Sequence, residues 1–135
     1  MTTRELLKMQ NVVALCTTDD PIDPLTYHQK LKEENFDIQV LPTFRPDQVL
    51  NIEKESFVEY IHQFEQCVGF KIKAIKDLEQ AVILRVEYFK SMGCLVSDHS
   101  LENHFYAPVI LQEVNDILIK RLNGKTLSLH EIMQC

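Results

Sequence analysis

Three apolar runs in this chain stop abruptly at charged residues, and they constrain its fold more than anything else. Val12–Thr17 runs into Thr18-Asp19-Asp20-Pro21-Ile22-Asp23. Val40-Leu41 runs into Pro42-Thr43-Phe44-Arg45-Pro46-Asp47, and Gly93-Cys94-Leu95-Val96 into Ser97-Asp98-His99. A continuous apolar run too short for a helix reads as a strand buried on both faces, the habit of parallel sheets. In α/β enzymes the residues just beyond such strands line the active-site rim. Two such deliveries within one crossover's distance, followed by a third, predict an α/β enzyme with a barrel or doubly wound sheet.

Helical patterns fill the intervals. Residues 2–10 predict a short helix, and Leu25–Glu34 a second with Leu25, His28 and Leu31 along one side. Phe57, Tyr60, Ile61, Phe64 and Val68 recur at helical spacing over Ser56–Cys67, and Gly69 can end that helix. Residues 70–76 alternate strictly, which fits either a strand or an extended connector. Asp77 is read as the cap of a helix over Leu78–Met92 that stops at Gly93. Strands are expected at Val12–Thr17, Asp37–Phe44 and Cys94–Val96. Pro42 is awkward in the second, because proline removes a ladder donor, so a bulge or an early strand end is expected there. Arg45-Pro46 predicts an extended exit. Pro108 precedes a helix over Val109–Leu122, and Ser128-x-x-Glu131 is a capping box for one more.

The 135 residues suffice for one domain with a modest core. A net charge of −6 without a basic run argues against nucleic-acid binding, which rests on clustered Lys and Arg. No apolar stretch approaches the roughly 20 residues that span a bilayer, so no membrane partner is expected. The cytoplasm is the natural compartment. Cys16, Cys67, Cys94 and Cys135 are widely spaced and form no C-x-x-C pair, so neither a disulfide framework nor a zinc knuckle is expected. Cys16 and Cys94, inside apolar runs, read as buried small hydrophobes.

The candidate site residues follow the three runs. Asp19 and Asp20, with Asp23 nearby, can orient a sugar hydroxyl, bind a metal or relay a proton. Turn and helix-cap chemistry explains the same aspartates equally simply. Arg45, fixed between Phe44 and Pro46, can present its planar fork to a carboxylate or phosphate. The competing reading is a salt bridge to Asp47 or to Asp19 and Asp20. Asp98 and His99 suggest a general acid or base or an oriented metal ligand, but neighbours on an extended segment point to opposite faces. Only one of them should face the site. His28, His62, His104 and His130 read as ordinary helix or loop histidines, with His104-Phe105-Tyr106 as a candidate lid. There is no Gly-rich phosphate loop, no G-x-S-x-G, no H-E-x-x-H and no H-x-H.

These residues resemble the uronate (glucuronate) isomerase family. The matching segments are Arg4-Glu-Leu-Leu-Lys8, Cys16-Thr-Thr-Asp-Asp-Pro-Ile-Asp-Pro-Leu-Thr-Tyr-His28 and Val40-Leu-Pro-Thr-Phe-Arg-Pro-Asp47. Leu50-Asn-Ile-Glu53, Gly93-Cys-Leu-Val-Ser-Asp-His-Ser-Leu101 and the region from Tyr106 continue the match in order. The resemblance implies a distorted (β/α)8 barrel related to the metal-dependent amidohydrolases. It implies aldose–ketose isomerisation of D-glucuronate to D-fructuronate, and of D-galacturonate to D-tagaturonate, with a proton moved between C2 and C1. It also implies a divalent metal, typically zinc, in the full-length enzymes. The family's metal ligands, an H-x-H motif on the first barrel strand and an aspartate on the last, lie outside this chain, as do its early catalytic tyrosine and histidine. The chain therefore reads as one partial barrel domain over residues 1–135, cut at both ends, with three or four parallel strands and outer helices.

By the family pattern Arg45 is the best substrate contact, Asp98 and His99 line the same cavity, and Asp19 and Asp20 follow as further substrate contacts. No metal ligand is assigned, and the isolated chain is expected to be inactive. The expected partner is a small uronic acid, and an open fragment of this kind needs a homo-oligomer or rearranged packing to cover its faces. The alternative is a non-catalytic remnant or sugar-acid-binding module.

Overall fold

The structure, a computed structural model, describes residues 1–100 and 107–135. Its elements run α1 (Thr3–Met9), β1 (Ala14–Cys16), α2 (Thr26–Glu33), β2 (Gln39–Leu41), α3 (Asp47–Leu50), α4 (Phe57–Val68), α5 (Ile75–Ser91), α6 (Leu111–Leu122) and α7 (Leu129–Gln134). The class is α/β, and among the described residues the sheet has two strands. β1 and β2 pair in parallel, Ala14 opposite Gln39 and Cys16 opposite Leu41.

The pairing continues past both strands. Asp19 bridges Phe44 in the same register, and Phe44 bridges Ser97, both in parallel. The three segments thus run the same way, and their charged tails gather at one end. The third segment, expected as a strand over Cys94–Val96, pairs only through that last bridge. Pro42 fits without a bulge. Gln39, Thr43 and Arg45 donate their N–H groups toward β1, whereas Phe44 donates to Val96 on the other side. Alternation in a parallel ladder turns position 42 toward the third segment, where pairing starts only at Phe44. The missing N–H breaks no bond to β1.

The helices cover one face of this sheet. Ile38, before β2, and Pro42 and Phe44, after it, share that face and are buried, with Val40 between them half-buried. On β1 the other face is open: Ala14 and Cys16 are exposed while Leu15 between them is half-buried. The expectation of a strand buried on both sides fails for this reason, and with it that of a buried Cys16. Cys94 is half-buried.

Most of the core lies between helices. Phe57, Tyr60, Ile61 and Phe64 of α4 pack against Leu78 and Ala81 of α5 and Ile117 and Leu118 of α6. A second cluster, Leu25, Phe44 and Phe89, joins the sheet to α5, with the Phe44 and Phe89 rings edge-on at 5.1 Å between centroids. The first cluster is the α4 stripe read from the sequence. Residues 70–74 form an extended connector, not a strand, anchored where Ile72 N–H reaches the buried Glu65 carboxylate at 2.8 Å.

The caps obey local chemistry. Gly69 ends α4 at φ +83°, and Gly93 follows α5 at φ +99°. α5 starts earlier than expected, at Ile75, because Asp77 reaches back from inside the first turn to Lys73 N–H and Ala74 N–H at 2.9 and 3.0 Å. The Ser128–Glu131 capping box opens α7 as read. Pro46 does not extend the chain: it stands directly before the short helix α3. Among the described residues no helix is long and apolar enough to cross a membrane.

Candidate functional site

The loop after β1 is held from below by the helices. Asp20 accepts three hydrogen bonds: Tyr60 Oη at 2.8 Å, Gln48 Nε2 at 2.9 Å and its neighbour Ile22 N–H at 3.1 Å. Burial, and after it the adjacent Asp20 carboxylate, drives the Tyr60 phenol far above its ordinary pKa, so Tyr60 stays a neutral donor. Asp23 accepts Leu25 N–H at 2.6 Å and steers the entry to α2. Leu25 takes a left-handed conformation at φ 53°, unusual for a leucine, and its side chain is fully buried against Phe44 and Phe89. Arg85 of α5 donates to the carbonyls of Pro21 and Asp23 at 2.6 and 2.9 Å and stacks over Tyr88. Tyr88 in turn donates to Pro24 O.

Alternation sorts the strand-end residues onto two faces. Phe44 faces the helices, so its bridge partners Asp19 and Ser97 do too. Contacts agree for Asp19. Thr17 Oγ1 donates to Asp19 Oδ2 at 2.6 Å, and His28 Nε2 of α2 lies 2.7 Å from Thr17 Oγ1 and 3.8 Å from Asp19 Oδ2. Asp19 Oδ2 also accepts Thr43 N–H at 3.3 Å. The His28 and Asp19 side chains are only 9% and 11% exposed.

The opposite face carries Thr43, Arg45 and Asp98. Arg45 makes a side-on pair with Asp98, Nε to Oδ1 at 3.1 Å and Nη2 to Oδ2. The arginine hydrogen bond holds the Asp98 carboxyl below the usual carboxylate range, and Asp98 likewise raises the Arg45 guanidinium. Both side chains are accessible, at 36% and 45% exposure. Of the partners weighed for Arg45, neither Asp47 nor Asp19 nor Asp20 is the one found. Asp47 instead binds Ser100 through its N–H and Oγ at 3.1 and 2.9 Å. His99 is exposed, with Nδ1 3.4 Å from Ser100 O. Residues 101–106, which include the candidate lid His104-Phe105-Tyr106, lie outside the described residues.

Arg45 and Asp98 thus meet across 53 positions of sequence, whereas Asp19 and Asp20 join separate networks. His28 and Tyr60 are the site residues that sequence reasoning missed. The signal for Tyr60 was its place on the buried α4 stripe, where a phenol needs a partner. For His28 it was the first turn of the helix that follows a polar strand end.

Among the described residues no three His, Cys, Asp or Glu side chains converge on a point that could hold a metal ion. The nearest acidic groups are engaged: Asp98 with Arg45, and Asp19 with Thr17 and Thr43. The donor set of the described residues does not fit a divalent metal. An open hollow of about 400 Å³ beside Phe44 and Phe89 has a mostly apolar lining, with Lys90 and Ser97 among its polar members.

The family model described as glucuronate isomerase matches residues 1–135. Uronate isomerase from Lachnospira eligens is 42% identical over 133 residues, covering 98% of this chain and 28% of that protein. The one from Caldanaerobacter subterraneus subsp. tengcongensis is 48% identical over 130 residues, covering 96% and 28%. The crystal structure of uronate isomerase from Thermotoga maritima superposes with a TM-score of 0.93 at 34% identity, over 99% of this chain and 30% of that one. The chain spans under a third of the length of these relatives. With a family model that matches its whole length, the chain belongs to the glucuronate (uronate) isomerase family.

Proposed function

We propose that this chain is the middle of a (β/α)8 barrel whose complete form isomerises D-glucuronate to D-fructuronate, and D-galacturonate to D-tagaturonate, in the cytoplasm. One observation carries the reading. At the carboxyl end of three parallel segments, on the face free of helices, Asp98 grips one edge of the Arg45 guanidinium. Among the described residues Nε and one N–H of Nη2 are used, which leaves Nη1 and the second N–H of Nη2 as a second fork. A guanidinium fixed on one edge presents the other to a planar carboxylate, which every uronic acid carries.

In this reading Arg45 binds the substrate carboxylate and Asp98 holds Arg45 at its angle. Alternation gives Asp98 the Arg45 face and turns the exposed His99 from it, so the proton transfer between C2 and C1 is assigned to no described residue. Asp19 and Asp20 act as positioning groups and do not touch the sugar. The described residues do not make a metal site, so no step is assigned to a metal here.

The test is direct. A full-length protein containing this segment is incubated with D-glucuronate or D-galacturonate and ketose formation is followed. Turnover of either supports the reading, and residues 1–135 alone should give none. Binding of uronates without turnover of either would leave a sugar-acid-binding module, and absence of both would refute the site.

A further inference from the structure

We propose that His28 is a positioning residue that holds Arg45 in place through Thr17 and Asp19; its effect on substrate rests on the isomerase reading above. The argument starts from a count of protons. The Thr17 hydroxyl has one hydrogen and two short neighbours, Asp19 Oδ2 at 2.6 Å and His28 Nε2 at 2.7 Å. Asp19 Oδ2 is an acceptor, and an oxygen–oxygen approach of this length requires a hydrogen between them. Thr17 therefore donates to Asp19. His28 must donate to Thr17, which places a proton on Nε2.

The run of donors ends on the backbone that carries Arg45. Thr43 N–H is shared between Thr17 O at 3.1 Å and Asp19 Oδ2 at 3.3 Å, Asp19 N–H donates to Thr43 O at 3.0 Å, and Asp19 O accepts Arg45 N–H at 3.0 Å. Asp19 is thus bonded to the chain on both sides of Phe44. Its carboxylate is set by Thr17, and Thr17 by a histidine nine-tenths buried on α2. The histidine stands on the helix side of the sheet and Arg45 on the other, so His28 cannot touch a ligand of Arg45. What it can do is fix the strand end from which Arg45 projects. A core-filling histidine would tolerate any residue of its shape, whereas this one is needed as a donor at Nε2.

The experiment uses the full-length protein containing this segment, with H28L, H28Q, T17V, T17S, R45K and the H28L/R45K pair. Glutamine can place its amide N–H near the position of Nε2, and serine keeps the hydroxyl. H28Q and T17S should stay within about threefold of wild type in KM. H28L and T17V should raise KM for the uronate about tenfold or more with a smaller change in kcat, because carboxylate binding is shared by ground and transition states. The double variant should be no worse than R45K alone, since His28 acts only through Arg45. Independently of activity, amide exchange in a peptide covering residues 41–46 should quicken about tenfold in H28L and T17V and hardly at all in H28Q. T17V, nearly isosteric, keeps the test alive if H28L does not fold. A lowered melting temperature with unchanged KM and exchange, or losses that add in the double variant, would overturn the proposal. If the wild-type protein turns over no uronate, the isomerase reading fails, and the exchange arm still decides whether the clamp exists.

Discussion

Asp20 separates a structural from a substrate-touching role, and its substitutions should behave as the hydrogen bonds dictate. Its carboxylate accepts Tyr60 Oη, Gln48 Nε2 and Ile22 N–H. Tyr60 is 3% exposed, so Asp20→Ala leaves a buried hydroxyl without a partner, at a cost of about 1–3 kcal/mol. Losing the local turn contact to Ile22 adds roughly 0.5–1.5 kcal/mol, and the exposed Gln48 contact adds little. A total of about 1.5–4.5 kcal/mol is expected. Asp20→Asn is milder. Its oxygen can still accept from Tyr60 and Ile22, and Gln48 can turn its own oxygen toward the new amide, so the loss should be about 1 kcal/mol.

The assay pairs denaturant unfolding with uronate kinetics on the same full-length preparations. Asp20→Ala should shift the unfolding midpoint clearly, Asp20→Asn slightly, and Asp20→Asn should keep kcat/KM within about threefold. Tyr60→Phe removes the same bond from its other end. Added to Asp20→Ala it should cost almost nothing more, because the orphaned hydroxyl has gone. A hundredfold fall in kcat/KM for Asp20→Asn with an unchanged midpoint would refute the argument and put the carboxylate on the substrate.

Arg45→Lys keeps the charge and loses the second fork, so KM for the uronate should rise about ten- to a hundredfold while the melting temperature barely moves; unchanged kinetics would remove Arg45 from the substrate. Glu131 is held down to about 2 by Lys120 and by the Ser128 backbone and hydroxyl. Because the folded value is depressed, its contribution is complete above the ordinary glutamate range and is lost as pH falls toward 2. Acid titration of the unfolding midpoint should show Glu131→Gln less stable at neutral pH and level with wild type at the acid end. Gly93→Ala should destabilise by about 1–3 kcal/mol by thermal unfolding, because φ +99° suits only glycine and a Cβ would stand 3.1 Å from Leu41 Cδ2.

Much of this could be read from local sequence, and what could not is long-range. The α4 stripe Phe57, Tyr60, Ile61 and Phe64 is buried as its spacing required. Gly69 and Gly93 took the positive φ that ends a helix, and Ser128 and Glu131 capped each other. The parallel direction of the three tails was legible because each apolar run ended in charges in the same chain direction. The short helix α3 was not legible, since four residues show no period and Pro46 reads equally as an extended exit. Nor was the partner of Arg45, as nothing local to Phe44-Arg45-Pro46 indicates an aspartate 53 positions on. The burial expected for Cys16 failed because an apolar run does not say whether one face of its strand or both will be covered. His28 was hidden for a related reason: helical spacing defines a face, but not which strand that face will meet.

The two-residue period of a strand explains how one short segment serves both the fold and the site. Phe44 and Arg45 are neighbours, yet one is buried on Phe89 and the other is paired with Asp98 on the uncovered face. Thr17 and Asp19, two apart, both turn to the helix side and are met there by His28. Ser97, by its bridge to Phe44, takes the helix side and leaves Asp98 to Arg45. At the second tail the helix-facing Phe44 anchors the backbone and the adjacent Arg45 projects to the other side. The parallel register keeps these choices in step, because Phe44 is bridged to Asp19 on one side and Ser97 on the other. A single inserted residue at position 43 would therefore do more than displace Arg45. It would turn Arg45 into the helix layer and Phe44 toward the open face, so anchoring and carboxylate binding would be lost together.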